Sequence, residues 1–371
     1  MDGYPVNFKP PSYFRQAMAG VVGQREMKNK LAGAFSIYTL FLDDPGVGHQ
    51  TPLIFGPSGS GKTYGIELCC EASKLPFTSI NAAGVSAAGY KGITLRDLLA
   101  QHFLVHDCSE GVIFIDEIDK KMRGAMRTND GEQLAMGTNF QGELLRYVER
   151  EDVYLQDEAK DLAKLRQEDP DDPGSEDPDS WVPVTFETRR AMFVLAGAFD
   201  GLHKLIARRM GEDPEYTEEG RLWERASPED FRRYGMLPEL VNRCSVTAHV
   251  RPLKGHEIIE IVEAQELPRW RSLFGALGCR LELEAGAIAR VAHLAVQERT
   301  GARGAVLRLN HVLTDCYSEA DEHQLTSCRV DAMVMDTGHL PLGAAETPQD
   351  VRNGYQPTLL PLRPLSAVAA V

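Results

Sequence analysis

Unbroken apolar runs recur through the first part of the chain: Leu53-Ile54-Phe55, Val112-Ile113-Phe114-Ile115 and Ala191-Met192-Phe193-Val194-Leu195-Ala196. Runs of that kind suit strands covered on both faces, as in a parallel sheet. Leu75 to Ile80 reads as a further short strand, and Val246, Ala248 and Val250 alternate like the last strand of the sheet. Segments with helical period lie between these runs: from Phe14 onward, Leu31-Phe35-Tyr38 to Leu42, Tyr64 to Lys74, Leu95 to Phe103, Gln141 to Val148 and Leu202 to Arg209. Asp43-Asp44-Pro45-Gly46 closes the second of them with residues that stop helices. Beyond Arg251-Pro252-Leu253 the period is mostly helical, with Ile258, Ile259 and Val262 on one face, Ile288, Val291, Ala292 and Ala295 on another, and Val306, Leu309 and Val312 on a third. The pattern predicts an α/β fold, a parallel sheet flanked by helices, followed by a smaller all-α domain.

The divisions follow from the same pattern. Residues 1–13, with Pro5, Pro10 and Pro11, read as an extended lead-in; 14–250 as the α/β domain; 251–335 as the helical domain; and 336–371 as a loose proline-rich tail. The stretch from Gln167 to Ser180 has no basic residue, and its prolines and acids mark a solvated insertion within the α/β domain.

Chemistry enters at the end of the Leu53-Ile54-Phe55 strand. Gly56-Pro57-Ser58-Gly59-Ser60-Gly61-Lys62-Thr63 follows directly, and Tyr64 continues into a helix. Strand, glycine-rich turn and helix in this order make a phosphate loop. Gly56, Gly59 and Gly61 free the backbone to turn successive N–H groups toward an anion, and the helix adds the positive end of its dipole. Lys62 supplies charge to the β- and γ-phosphates, and the Thr63 hydroxyl is suited to Mg²⁺. The run Val112 to Ile115 ends in Asp116-Glu117, at the carboxyl end of a strand, where doubly wound sheets hold their ligands. Asp116 is placed for the Mg²⁺ shell and Glu117 to polarise the attacking water.

Composition narrows the partners. The 54 acidic against 40 basic side chains give a net charge of -14, which disfavours a broad nucleic-acid footprint. No apolar stretch approaches the ~18 residues of a membrane helix, and the opening Met-Asp-Gly-Tyr-Pro lacks the regions of a signal peptide, so a cytoplasmic location is expected. The seven cysteines include no Cys-x-x-Cys pair, which removes zinc ribbons and redox dithiols. His102 and His106 stand four apart with no glutamate after His102 and no third ligand, a poor basis for a metal.

Separated segments resemble one family, the AAA+ ATPases, and within them the ClpX unfoldases. Ile115-Asp116-Glu117-Ile118-Asp119-Lys120 is similar to the family's acidic strand end, Leu237-Pro238-Glu239-Leu240-Val241-Asn242-Arg243 to its Pro-Glu-apolar-apolar-x-Arg segment, and Thr300-Gly301-Ala302-Arg303-Gly304-Ala305 to its Gly-Ala-Arg-Gly box. Val21-Val22-Gly23-Gln24 resembles the segment that packs on adenine. The resemblance implies a homo-oligomeric ring, a hexamer, with ATP and Mg²⁺ bound. Arg243 would then reach the neighbouring subunit's nucleotide, Arg303 would touch the bound phosphates, and Val22 would line the base. It also implies that Gly89-Tyr90-Lys91-Gly92 is a pore loop, in which Tyr90 grips a polypeptide and Lys91 replaces the usual valine.

The departures are equally legible. With no Cys-x-x-Cys pair, no counterpart of the family's zinc-binding amino-terminal module is expected, and no Ile-Gly-Phe tripeptide occurs between Arg209 and Phe231, which leaves docking to a ClpP-like peptidase without its motif. The strand end Ala196-Gly197 offers no polar side chain for the family's first nucleotide sensor. The expected function is an ATP-driven protein unfoldase that threads its protein substrate. The alternatives are an ATPase that remodels one dedicated partner without threading, and a nucleotide-dependent binding module with little hydrolysis.

Overall fold

The structure, a computed structural model, describes residues 7–86, 92–122, 131–154, 185–215, 217, 219–337 and 345–346. Tyr90 and Lys91, the acidic insertion at 167–180 and nearly all of 336–371 lie outside the described residues. By its internal contacts the chain forms two compact units, one reaching to Arg251 and the other beginning at Pro252, with Ser58–Ser60 grouped with the second.

In the first unit β1 (Pro52–Phe55), β2 (Phe77–Asn81), β3 (Gly111–Asp116), β6 (Ala191–Gly197) and β7 (Val246–His249) form a sheet in the order β2-β3-β6-β1-β7. Every pairing in it is parallel. A separate short ladder joins β4 (Val153–Tyr154) to β5 (Thr185–Phe186) antiparallel. The helices are α1 (Pro11–Ala17), α2 (Arg25–Asp43), α3 (Lys62–Ser73), α4 (Leu95–His106), α5 (Gly131–Val148), α6 (Leu202–Met210), α7 (Glu219–Trp223), α8 (Pro228–Tyr234) and α9 (Pro238–Arg243).

Strand side chains alternate between faces, and the two faces carry separate cores. Leu53, Phe55, Ile113, Ile115, Phe193 and Leu195 pack with Leu99, Phe140, Phe199 and Phe231. Ile54, Val112, Phe114, Met192 and Val194 pack with Phe14, Phe35, Tyr38 and Ile66. Every residue of β1 and β6 is buried, which is why both read as unbroken apolar runs, and each of their Leu, Ile, Val, Phe and Met side chains contributes ~1.5–3 kcal/mol. At the amino ends of the strands the fully buried Tyr38 hydroxyl accepts the Gly111 N–H at 2.7 Å and lies 2.7 Å from the Arg190 carbonyl. His102 is also core: its ring nitrogens engage Thr78 Oγ1 at 2.7 Å and the Glu110 carbonyl at 3.0 Å.

The second unit holds α10 (Gly255–Ile261), α11 (Leu267–Ala276), α12 (Ala285–Gln297), α13 (Gly301–Glu322) and α14 (Ala332–Thr337). A π-turn, Val262–Glu266, precedes α11; Pro268, which lacks an N–H, stands in the first turn that follows. Ile258, Phe274, Val291, Leu309, Leu313 and Cys316 lie in its core, and Trp270 Nε1 donates to Asn310 Oδ1 at 2.8 Å. The unit is chiefly helical, but "all-α" is amended by a small sheet, β8 (Arg280–Leu283), β9 (Ser327–Val330) and β10 (Ala345–Glu346), in the order β10-β9-β8. These strands have at most four residues each, too few for their period to stand out beside helices.

Candidate active site

The carboxyl ends of β1, β6 and β3 lie side by side, because β6 pairs with both of the others. From β1 the chain enters the phosphate loop through Gly56, whose φ is +130°. A Cβ there would come within 2.1 Å of the Val250 carbonyl oxygen, so only glycine fits. Gly61, at φ +90°, sits immediately before α3. Lys62 is only 8% exposed, and its Nζ donates to the carbonyls of Gly56 at 2.6 Å and Pro57 at 2.9 Å. The loop thus holds its own ammonium group, wrapped by main chain. Thr63 stands next on α3 and Tyr64 after it, the latter 38% exposed.

Asp116 ends β3. Its Oδ2 lies 3.5 Å from Thr63 Oγ1, and its Oδ1 accepts the Glu117 N–H at 2.8 Å. A hydroxyl and a carboxylate converging from two elements are the hard oxygen donors that Mg²⁺ takes beside phosphate and water. Both residue types fit the ion. Glu117 adopts φ +55°, a left-handed conformation that is uncommon outside glycine and is concentrated at functional sites. It breaks the strand's alternation just where the second acid leaves it.

The polar group missing from the end of β6 is supplied from β3's side. Asp119, 1% exposed, accepts the Ala198 N–H at 3.2 Å. A Cβ on Gly197 would lie 2.5 Å from Asp119 Oδ1, so the absence of a side chain at Gly197 is what admits this carboxylate. Burial pushes the Asp119 pKa up, opposed by the Lys120 ammonium 3.6 Å away and by the Ala198 N–H. Asp119 carries no signal of this role in its own segment, because the amide it accepts from lies 79 positions away at the end of another strand.

Val21 is buried and Val22 half-buried, and Lys28 Nζ donates to the Val21 carbonyl at 2.6 Å. Gln24 fixes this segment: its side-chain amide donates to the Arg251 carbonyl at 2.8 Å and accepts the Arg251 N–H at 3.0 Å. This clasp spans 227 positions of sequence and had no local signal. A neighbouring cavity of about 500 Å³ is lined by Gln24, Lys30, Glu224, His249 and Arg251 among others, and His249 Nδ1 lies 2.7 Å from Glu26 Oε2.

Arg243 closes α9 with its side chain 54% exposed and bound to Glu149, not to Asp116 or Glu117. Arg303, exposed in the first turn of α13, makes no hydrogen bond or ion pair among the described residues; the nearby Glu298 is taken by Arg308 at 2.6 Å. Gly304 is required beside it, since a Cβ there would fall 1.9 Å from Thr300 Oγ1.

Parallel sheet, phosphate loop and acidic strand end together make a site that hydrolyses ATP. Residues 52–164 match the profile of the AAA family, the ATPases associated with various cellular activities. The chain resembles the ATP-dependent Clp protease ATP-binding subunit ClpX 3 of Methylococcus capsulatus, with 28% identity over 314 residues, 78% of this chain and 68% of that protein. It is similar too to ClpX of Bacteroides thetaiotaomicron, with 25% identity over 308 residues, 76% of this chain and 70% of that protein. Among the described residues no helix is long and apolar enough to cross a membrane.

Proposed function

We propose that this chain assembles into a ring, a hexamer, and uses ATP hydrolysis at subunit boundaries to pull on protein substrates in the manner of ClpX. The observation that carries this reading is the setting of Arg243: a half-exposed guanidinium at a helix end, paired with Glu149 rather than with its own subunit's acid pair.

In this reading Lys62 and the loop amides bind the β- and γ-phosphates, and Val22 borders the base. Thr63 and Asp116 hold Mg²⁺, which would neutralise phosphate charge. Glu117 orients the attacking water and takes its proton as the terminal phosphoanhydride bond breaks. Arg243 touches the phosphates held by its neighbour. A guanidinium delivered in trans accelerates phosphoryl transfer by ~10³–10⁵, and general-base help by ~10²–10⁴. Loss of Arg243 should therefore hurt at least as much as loss of Glu117. Tyr90 and Lys91 complete the proposal as the substrate-gripping loop, since an aromatic ring can hold many kinds of side chain through area and stacking.

A second reading, an ATPase dedicated to one partner complex without threading, is favoured by the lack of an Ile-Gly-Phe tripeptide between Arg209 and Phe231. ATP turnover measured across protein concentration, for the native chain and for Arg243→Ala, tests the shared site. Turnover per chain should rise with assembly and collapse in the variant, and equal rates for monomer and ring would refute it. Tyr90→Ala separates the two readings, because it should stop unfolding of a tagged substrate while leaving partner activation intact.

A further inference from the structure

Glu149 lies one residue beyond α5, and Arg243 is the last residue of α9. Their pairing joins positions 94 apart in sequence: Arg243 Nε donates to Glu149 Oε1 at 2.9 Å, and Nη2 donates to the same oxygen at 2.6 Å. A guanidinium presents five N–H donors in a fixed plane. One edge, Nε and one hydrogen of Nη2, is engaged by Glu149; the adjoining end-on edge keeps one hydrogen each of Nη1 and Nη2, and the second Nη1 hydrogen points to the Cδ side.

The pair is exposed, 54% at the arginine side chain and 39% at the glutamate. Ion pairs of that exposure contribute little to fold stability, so holding the fold together is a poor explanation for it. Direction is a better one. An unrestrained arginine spreads over many rotamers, whereas one gripped along its Nε edge keeps a defined plane and offers the rest of its donors outward. Phosphate oxygens can be engaged by that free edge without breaking either bond to Glu149.

We propose that Glu149 is a positioning residue for ATP hydrolysis: it orients the Arg243 guanidinium so that its free edge meets the terminal phosphate held by the adjoining copy of the chain. The inference rests on the shared-site reading of Arg243 given above. It also runs opposite to an inhibitory clasp, in which Glu149 would compete with phosphate and its removal would speed the reaction.

The test uses the full-length assembled protein with Glu149→Ala, Glu149→Gln, Arg243→Ala and the double variant Glu149→Ala with Arg243→Ala. Misorientation of a group that acts at the reacting centre costs up to about 100-fold. The expected result is a fall in kcat of about 10-fold to 100-fold for Glu149→Ala, with KM for ATP and thermal melting unchanged. Glu149→Gln, which keeps an acceptor oxygen at the same reach, should recover most of the loss, and Glu149→Ala should add nothing where Arg243 is already absent. Rings in which native subunits are mixed with Glu117→Gln subunits should slow further when the latter also carry Glu149→Ala, because the defect acts on the neighbour's site. If Arg243→Ala is inactive while Glu149→Ala turns over at the native rate or faster, the positioning role is overturned and the shared site stands. An effect of Glu149→Ala that persists without Arg243, or a lowered melting temperature, makes the pair structural and likewise overturns the proposal. If Arg243→Ala itself keeps native turnover, the shared-site reading fails, and this inference with it.

Discussion

Replacing Tyr38 by phenylalanine removes one buried oxygen from the amino-terminal side of the sheet. That hydroxyl accepts the Gly111 N–H at 2.7 Å, and its own proton is shared between the carbonyls of Arg190 at 2.7 Å and Gly111 at 2.9 Å. Gly111 and Ala191 are register partners at the start of β3 and β6, so one group steadies the first rung of two central strands. Its loss leaves the buried Gly111 amide without an acceptor, a cost of ~1–3 kcal/mol. In a domain of this size each kcal/mol lowers Tm by ~2–4 °C, so a drop of roughly 2–12 °C is expected at neutral pH. Burial also holds the Tyr38 pKa well above its usual 10.0. The folded protein therefore keeps a proton that the unfolded chain releases above about pH 10, and the native chain loses stability there by up to ~1.4 kcal/mol per pH unit. The phenylalanine variant has no such dependence, and all other tyrosines and cysteines act alike in both proteins. The gap between the two should thus be widest at pH 7 to 9 and shrink by about 1.4 kcal/mol by pH 11. Urea unfolding followed by circular dichroism at several pH values measures it, with ATP turnover at pH 7 unaltered because the hydroxyl lies at the end of the strands opposite the phosphate loop. Equal stabilities at pH 7, or a gap that stays constant to pH 11, would refute the reasoning.

Gly197→Ala puts a methyl group 2.5 Å from Asp119 Oδ1 and 2.9 Å from the Phe199 ring. It should destabilise the domain by ~1–3 kcal/mol and reduce turnover by displacing the carboxylate from the Ala198 amide; a variant with native stability and native rate would show that the space is not filled as described. Glu117→Gln should retain ATP, measured by equilibrium binding, while hydrolysis falls by ~10²–10⁴. Hydrolysis that survives the change would assign the general base elsewhere.

What could be read from residues alone follows from how local the signals are. β1, β3 and β6 are continuous apolar runs because both sheet faces are covered, and the phosphate loop announces itself because its glycines, lysine and threonine are contiguous. The helical period of α5 stands out only from Gln141, since Gly131 and Gly137 dilute the signal before it. β8 and β9 are brief strands lodged among helices. The site's supporting contacts were hidden for another reason. Asp119 meets the Ala198 amide across 79 positions, Glu149 meets Arg243 across 94, and Gln24 meets Arg251 across 227, and such pairs exist only once the topology has brought their elements together.

The cysteines give the molecule a chemical clock. Cys69, Cys70 and Cys244 are buried in the first unit and Cys279, Cys316 and Cys328 in the second, while Cys108 alone is partly open. Burial pushes the Cys69 and Cys244 thiols up to about 12 and Cys279 to about 11, so alkylation of these sulfurs must await local opening. With Cys108 blocked, the order in which the remaining thiols take up a labelling reagent would time the loosening of each unit separately, with no engineered probe.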